Sequence, residues 1–174
     1  LFLTRMKLRA DGKGFEDVYF SSKGHDVPAL YAALQGMGFL PVESMEQLRR
    51  LNGLPGHPDR STPHIVTNTG SLGMGVSKAK GMALANRQAG VRKELYVLTG
   101  DGELQEGQFW ESLSFAANHG LSEIRVIVDH NKIQSDTWVT DVSDLGTLGA
   151  KFQAFGGELR ECDGHDPAAL ARAL

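Results

Sequence analysis

The sequence predicts an α/β fold, a parallel β-sheet flanked by helices on both faces, and three observations carry that prediction. Two short apolar runs, 94–99 and 124–128, enclose a stretch that reads as one helix, 107–119, closed by Gly120, which makes a strand, helix, strand unit. The alternation continues with a helix over 144–155, a strand over 158–162 and a helix over 167–174. Finally, 21 glycines against six prolines suit a chain with many tight strand-to-helix turns.

The earlier elements follow from local signals. Leu1 to Arg9 reads as the tail of an amphipathic helix. Asp26 with Pro28 two positions on is a helix start, and that helix runs to about Met37. A second helix fits Glu43 to Leu51, and Pro55, Gly56, Pro58 and Pro63 mark 52–68 as loop. From Ser71 to Gln88, Leu72, Val76, Ala79, Met82, Ala83 and Asn86 recur at helical spacing despite Gly73, Gly75 and Gly81. Each glycine costs a helix about 1 kcal/mol relative to alanine. Three in one helix therefore imply close approach by a neighbour or ligand.

Composition excludes several function classes. At 174 residues and 41% hydrophobic content the chain has enough material for one core. A net charge of −3 with scattered basic residues offers no field for nucleic acid or a membrane surface. No run approaches the roughly 18 apolar residues of a membrane span, and no signal peptide opens the chain, so a cytoplasmic location is expected. Cys162, the sole cysteine, excludes an internal disulfide and is expected as a small buried or half-buried residue in strand 158–162. Leu1 in place of methionine, and a C-terminus inside a helix, read as a fragment of a longer protein, a single domain over 1–174 truncated at both ends.

Parallel strands bring Gly100-Asp101-Gly102 and Asn131 to the same carboxyl edge of the sheet. Open α/β sheets bind ligands there, and a glycine turn lets backbone N–H groups approach phosphate closely. Mg²⁺ needs six oxygens and is commonly held by one or two carboxylates together with substrate phosphates and water. Asp101 supplies one carboxylate, Asn131 an amide oxygen and Ile133 a main-chain carbonyl. Gly-Asp-Gly alone is equally a simple turn; its pairing with Asn131 after a second strand makes it a metal-site candidate.

Four more features carry possible chemistry. His25, in Ser21-Ser22-Lys23-Gly24-His25, precedes a helix start where an anion meets both imidazole and helix N-terminus. His57 stands in the rigid loop Pro55-Gly56-His57-Pro58-Asp59, and Thr69-Gly70-Ser71-Leu72-Gly73 could present backbone to a flat heterocycle. Glu106 opens a helix, where the dipole favours a carboxylate anyway. His64, His119, His130 and His165 read as surface or satisfied core residues, Trp110 and Phe115 as packing, and Lys78 and Lys80 as a solvated face.

Ser-Lys-Gly-His at 22–25, Gly-His-Pro-Asp at 56–59, Thr-Gly-Ser-Leu-Gly at 69–73, Gly-Asp-Gly-Glu-Leu-Gln-Glu-Gly at 100–107 and Asp-His-Asn-Lys-Ile at 129–133 together resemble the transketolase family. They stand in the family's order across nearly the whole chain, and the covered region resembles the amino-terminal, diphosphate-binding domain for thiamine diphosphate. The resemblance implies that Asp101, Asn131 and the Ile133 carbonyl hold Mg²⁺ (with Ca²⁺ or Mn²⁺ as substitutes), and that Gly100, Gly102 and His25 lie at the diphosphate. It places His57 beside the thiazolium and the donor sugar, Gly70 and Leu72 along the aminopyrimidine, and Glu106 buried at a dimer interface. The implied activity is ketol transfer between sugar phosphates, with His57 and His25 as catalytic candidates.

A pyrimidine-binding domain or C-terminal subunit would complete the site in a homodimer or heterotetramer, bringing the glutamate that activates the aminopyrimidine. Met74, Asp59 and Ser71 depart from residues common in the family, which bears on substrate placement. The alternative readings are a deoxyxylulose-phosphate-synthase-like enzyme and a non-catalytic cofactor-binding subunit. The first shares the Gly-Asp-Gly logic but lacks the Gly-His-Pro-Asp and Glu-Leu-Gln-Glu-Gly context.

Overall fold

The computed structural model describes residues 1–174. At its centre three parallel strands lie side by side: β1 (Val18–Ser21), β2 (Leu95–Gly100) and β3 (Ile124–Asp129), with β2 in the middle. Tyr19 pairs with Tyr96, Phe20 with Val97, and Val97 in turn with Val126. Side chains alternate across a strand, so this register sorts the sheet into two apolar faces.

On one face Phe20, Leu95 and Val97 meet Ala79 and Ala83 of α2 (Gly75–Gln88) and Ala116 of α3 (Gly107–Asn118). The alanines let the helices sit close on the strands. Leu95 and Val97 are fully buried, each stabilising the fold by about 1.5–3 kcal/mol. Val76 of α2 and Phe109 of α3 extend this face to Phe152, against Val126 and Val128. On the opposite face α1 (Val27–Gly36) packs Val27, Leu30, Tyr31 and Leu34 in a cluster that includes Tyr19. Helices thus cover both faces, as expected from the sequence.

A hairpin of two-residue strands, β4 (Ile133–Gln134) and β5 (Thr137–Trp138), follows β3. Then come α4 (Val139–Val142), α5 (Leu148–Ala154) and α6 (Pro167–Ala173). Asp166 caps α6, its carboxylate accepting from Ala168 N–H at 2.8 Å.

Several sequence expectations are corrected. Leu1 to Arg9 is not helical; the N–H groups of Thr4, Arg5 and Met6 converge on the Leu1 carbonyl in a turn. The segment 158–162 forms no strand and Cys162 is exposed, because no partner strand lies beside it. Residues Val42–Gln47 form a 3₁₀ helix rather than an α-helix over 43–51. Helix α2 begins at Gly75, since Gly73 takes φ +78°, a left-handed conformation that ends any helix. The single helix expected over 144–155 is reduced to α5, with α4 before it.

Candidate functional site

Strands β1, β2 and β3 run parallel, so the loops after them, 21–25, 100–106 and 129–135, emerge on one edge. Gly100 pairs with Asp129, which brings the two loop starts level. Asp101 is only 3% exposed. One carboxylate oxygen accepts from Gly102 N–H at 2.9 Å, the other from Lys132 N–H at 2.5 Å, and Asp101 N–H donates to the Asp129 carbonyl at 3.2 Å. Lys132 stands between Asn131 and Ile133, with φ +68°, so the chain reverses at this point. The structure therefore brings Asp101 together with the Asn131–Ile133 turn.

Asn131 is oriented within that turn. Its amide nitrogen donates to Asp129 Oδ2 at 3.1 Å and its Oδ1 accepts from Ile133 N–H at 2.9 Å. The same Asp129 oxygen receives Lys23 Nζ at 2.7 Å. Each amide or carboxylate oxygen has a second lone pair, which leaves acceptor capacity on Asp101 and Asn131. No group of three His, Cys, Asp or Glu residues capable of holding a metal is present. One carboxylate with neutral oxygens is a poor match for a zinc site and suits a hard cation that takes its remaining oxygens from phosphate and water.

The two histidines meet through glycines. A Cβ built on Gly24 would lie 2.7 Å from His57 Cδ2 and 2.8 Å from Gly70 Cα, and one on Gly70 would lie 2.7 Å from the same His57 carbon. Only glycine permits this packing, and both residues take positive φ, +72° and +118°. Thus loops 21–25, 55–59 and 69–73 converge with His57 between them and His25 adjacent to Gly24. Both histidines are exposed, as is Leu72. His57 stands on a braced loop: Asp59 accepts from Ser61 N–H at 2.8 Å and Asn68 Nδ2 at 2.9 Å, and the Ser61 hydrogen bonds hold its carboxyl below the usual range.

Gly102 is crowded by the side chain of Gln134, whose Cβ would lie 2.7 Å from an added Cβ. Glu106 is exposed at the N-cap position of α3, and its Cβ would lie 2.6 Å from a Cβ added at Gly73. Trp110 packs against Phe109, Phe152 and Phe155 and donates to the Leu104 carbonyl at 2.7 Å, in keeping with a packing role. Buried Asp26 Oδ1 and Thr69 Oγ1 have no hydrogen-bond partner.

Sequence reasoning missed Ser22, Lys23, Glu103, Asp129 and Gln134. The first three are buried polar residues at 1%, 8% and 3% exposure, and Asp129 orients Asn131. For all but Gln134, presence within the motifs 22–25, 100–107 and 129–133 was the available signal.

Comparison with known proteins identifies the family. The family described as transketolase, thiamine diphosphate binding domain, matches residues 15–174. An apulose-4-phosphate transketolase subunit of Actinobacillus succinogenes is 40% identical over 91% of this chain and 58% of its own length. The 6-deoxy-6-sulfo-D-fructose transketolase subunit SqwG of a Clostridium species is 39% identical over 100% of this chain and 65% of its own. The chain thus spans less than two thirds of these relatives.

Among solved structures, transketolase from Campylobacter jejuni superimposes with a TM-score of 0.83 at 33% identity, over 90% of this chain and 26% of that one. Transketolase from Pichia stipitis gives 0.88 at 29% identity, over 99% and 28%. With the family's motifs assembled on one sheet edge and the match running from residue 15 to 174, this chain belongs to the transketolase family, as its thiamine diphosphate-binding domain.

Proposed function

We propose that this chain is the diphosphate- and Mg²⁺-binding half of an enzyme that transfers a two-carbon ketol unit between sugar phosphates. The observation that carries the proposal is buried Asp101, hydrogen-bonded to the N–H groups of Gly102 and Lys132 and so fixed beside Asn131 and Ile133. When bound, thiamine diphosphate supplies the nucleophilic carbon on which ketol transfer depends.

The chain's own groups bind and orient. Asp101, Asn131 and the Ile133 carbonyl hold the cation, and the Gly100–Gly102 turn with His25 accepts the diphosphate. His57, held against Gly24 and Gly70, faces the reacting end, and Gly70 with Leu72 supports the aminopyrimidine. Glu106 and the apolar Leu72 are exposed on this edge, a surface for a second domain. The A. succinogenes and Clostridium relatives are both named as subunits, which supports a partner chain for this one. We assign that partner the pyrimidine-binding domain or C-terminal subunit, in a homodimer or heterotetramer.

The test is activity by parts. Residues 1–174 alone are expected to show no ketol transfer at any thiamine diphosphate concentration, and activity is expected once the second half is added, in cis or as a separate chain. Turnover of a ketose phosphate by the unaided chain would overturn the division of labour. Calorimetric titration of the assembled protein with thiamine diphosphate, with and without EDTA, tests the cation; unchanged affinity after chelation would remove it.

A further inference from the structure

Glu103 is 3% exposed, and none of the chain's ion pairs includes it. Its partners come instead from two other loops and from the end of β2. Oε1 accepts from Ser22 Oγ and from Gly73 N–H at 2.8 Å, and Oε2 accepts from Gly100 N–H at 3.3 Å. Ser22 Oγ, having donated its proton to Glu103, accepts from Gly75 N–H at 3.0 Å. Ser22 is itself 1% exposed.

The resulting chain of bonds runs from the end of β1, through Glu103, to the turn before α2 and to the end of β2. Gly75 N–H is among the first donors of α2, which has no side-chain cap from its own N-cap residue, so Ser22 satisfies a group that helix geometry leaves unpaired. A Cβ at Gly75 would lie 2.5 Å from both Ser22 Cβ and Ser22 Oγ, which leaves the segment no alternative seat. Lys23 Cδ would lie 3.5 Å from a Cβ on Gly100, covering the same strand end.

We propose that Glu103 is a positioning residue. It contacts no ligand and instead fixes loop 69–75 relative to the Gly100–Gly102 turn, so that the surfaces assigned to the aminopyrimidine and to the diphosphate stay at one separation. A rigid cofactor that must touch both surfaces binds well only when that separation is preset, because otherwise binding must order the loops. The inference rests on reading this edge as the thiamine diphosphate site. Outer groups that orient ligand-holding residues typically alter affinity 10- to 100-fold.

The experiment uses the assembled protein and the variants E103A, E103Q, S22A and E103A/S22A. Calorimetry measures thiamine diphosphate affinity with Mg²⁺ present, hydrogen exchange follows the amides of residues 70–75 without cofactor, and steady-state kinetics give kcat at saturating cofactor. E103A is expected to raise Kd about 10- to 100-fold and to speed exchange at 73 and 75, with kcat at saturation within about twofold. E103Q keeps an acceptor for Ser22 and Gly73 but turns an NH₂ toward Gly100 N–H, so an intermediate loss is expected.

S22A and E103A are expected to be non-additive, since each breaks the same link. Should E103A fail to fold, E103Q and S22A carry the comparison. Wild-type protein that binds thiamine diphosphate while folded E103Q and S22A bind it within about twofold of wild type would overturn the positioning role alone. Wild-type protein that does not bind it at all would overturn the site reading and this role with it.

Discussion

Both edges of the central sheet carry carboxylates, but they are neutralised differently. At the amino edge an acid immediately precedes each strand: Asp17 before β1, Glu94 before β2 and Glu123 before β3. Arg87 holds Glu123 at 2.6 Å, Arg125 holds Glu94 at 3.0 Å, and Asp17 takes the N–H groups of Lys7 and Glu94. At the carboxyl edge Asp101 and Glu103 are buried with backbone N–H groups and one serine hydroxyl as partners, and no cation among them. Only Asp129 there has a cationic partner, Lys23. Two of the three amino-edge acids are thus closed by arginines, while Asp101 and Glu103 at the carboxyl edge are held by neutral donors alone. On the proposed reading of the site, ion pairing for stability and ligand binding fall at opposite ends of the same strands.

The largest break in this contrast is expected from Asp101→Ala. It removes the sole carboxylate assigned to the ion, and thiamine diphosphate affinity in Mg²⁺ should fall at least about 100-fold, since an anionic diphosphate then meets no bound cation. Calorimetry reads this directly; a loss under tenfold in a folded variant would refute the assignment. Asn131→Ala should weaken binding less, because water can replace a neutral ligand.

Next in size are the histidines. His57→Ala is expected to lower turnover about 100-fold with cofactor affinity largely kept, since His57 sits between the loops rather than at the Asp101 turn. His25→Ala is expected to raise the apparent cofactor constant about tenfold, the scale of a lost hydrogen bond to a charged group, with turnover at saturation retained. Steady-state kinetics on both variants decide the matter, and matching profiles for the two would remove the division between them.

How much of this was legible in the sequence depended on whether a signal was local. Strands β2 and β3 and helix α3 rest on apolar runs and turn glycines a few residues apart, and each stands close to where the sequence put it. Strand β1 went unread because Val18–Ser21 is only four residues long and is defined by pairing with β2, far along the chain. The reverse happened at 158–162, where Glu158 to Cys162 includes no β-branched or aromatic residue and forms no strand; strand propensity is largely a propensity to fit a neighbour. Glu103 drew no reading beyond its place in the 100–107 motif, since its partner Ser22 lies 81 positions away. The hairpin β4–β5, which lays Gln134 over Gly102, was invisible because strands of two residues carry no periodic signal.

The smallest effect at the site, and the one that most sharply separates the two edges, is expected from Glu123→Gln. The Arg87 hydrogen bond lowers the Glu123 pKa from its ordinary value of 4.5, and Arg87 also donates to the carbonyls of His119 and Gly120, tying the end of α2 to the loop after α3. A carboxyl whose folded-state pKa lies below its unfolded value contributes stability above the unfolded value and loses it as pH falls through the folded one. Glu123→Gln should therefore lower the melting temperature at neutral pH, and the difference from wild type should shrink as the solution is acidified through that window. Thiamine diphosphate affinity should stay within about twofold at neutral pH, because the substitution lies at the far end of β3 and distant sites act independently. A variant that binds the cofactor much more weakly while melting like wild type would show that the amino edge also sets the ligand site, and the division between the two ends of the sheet would fail.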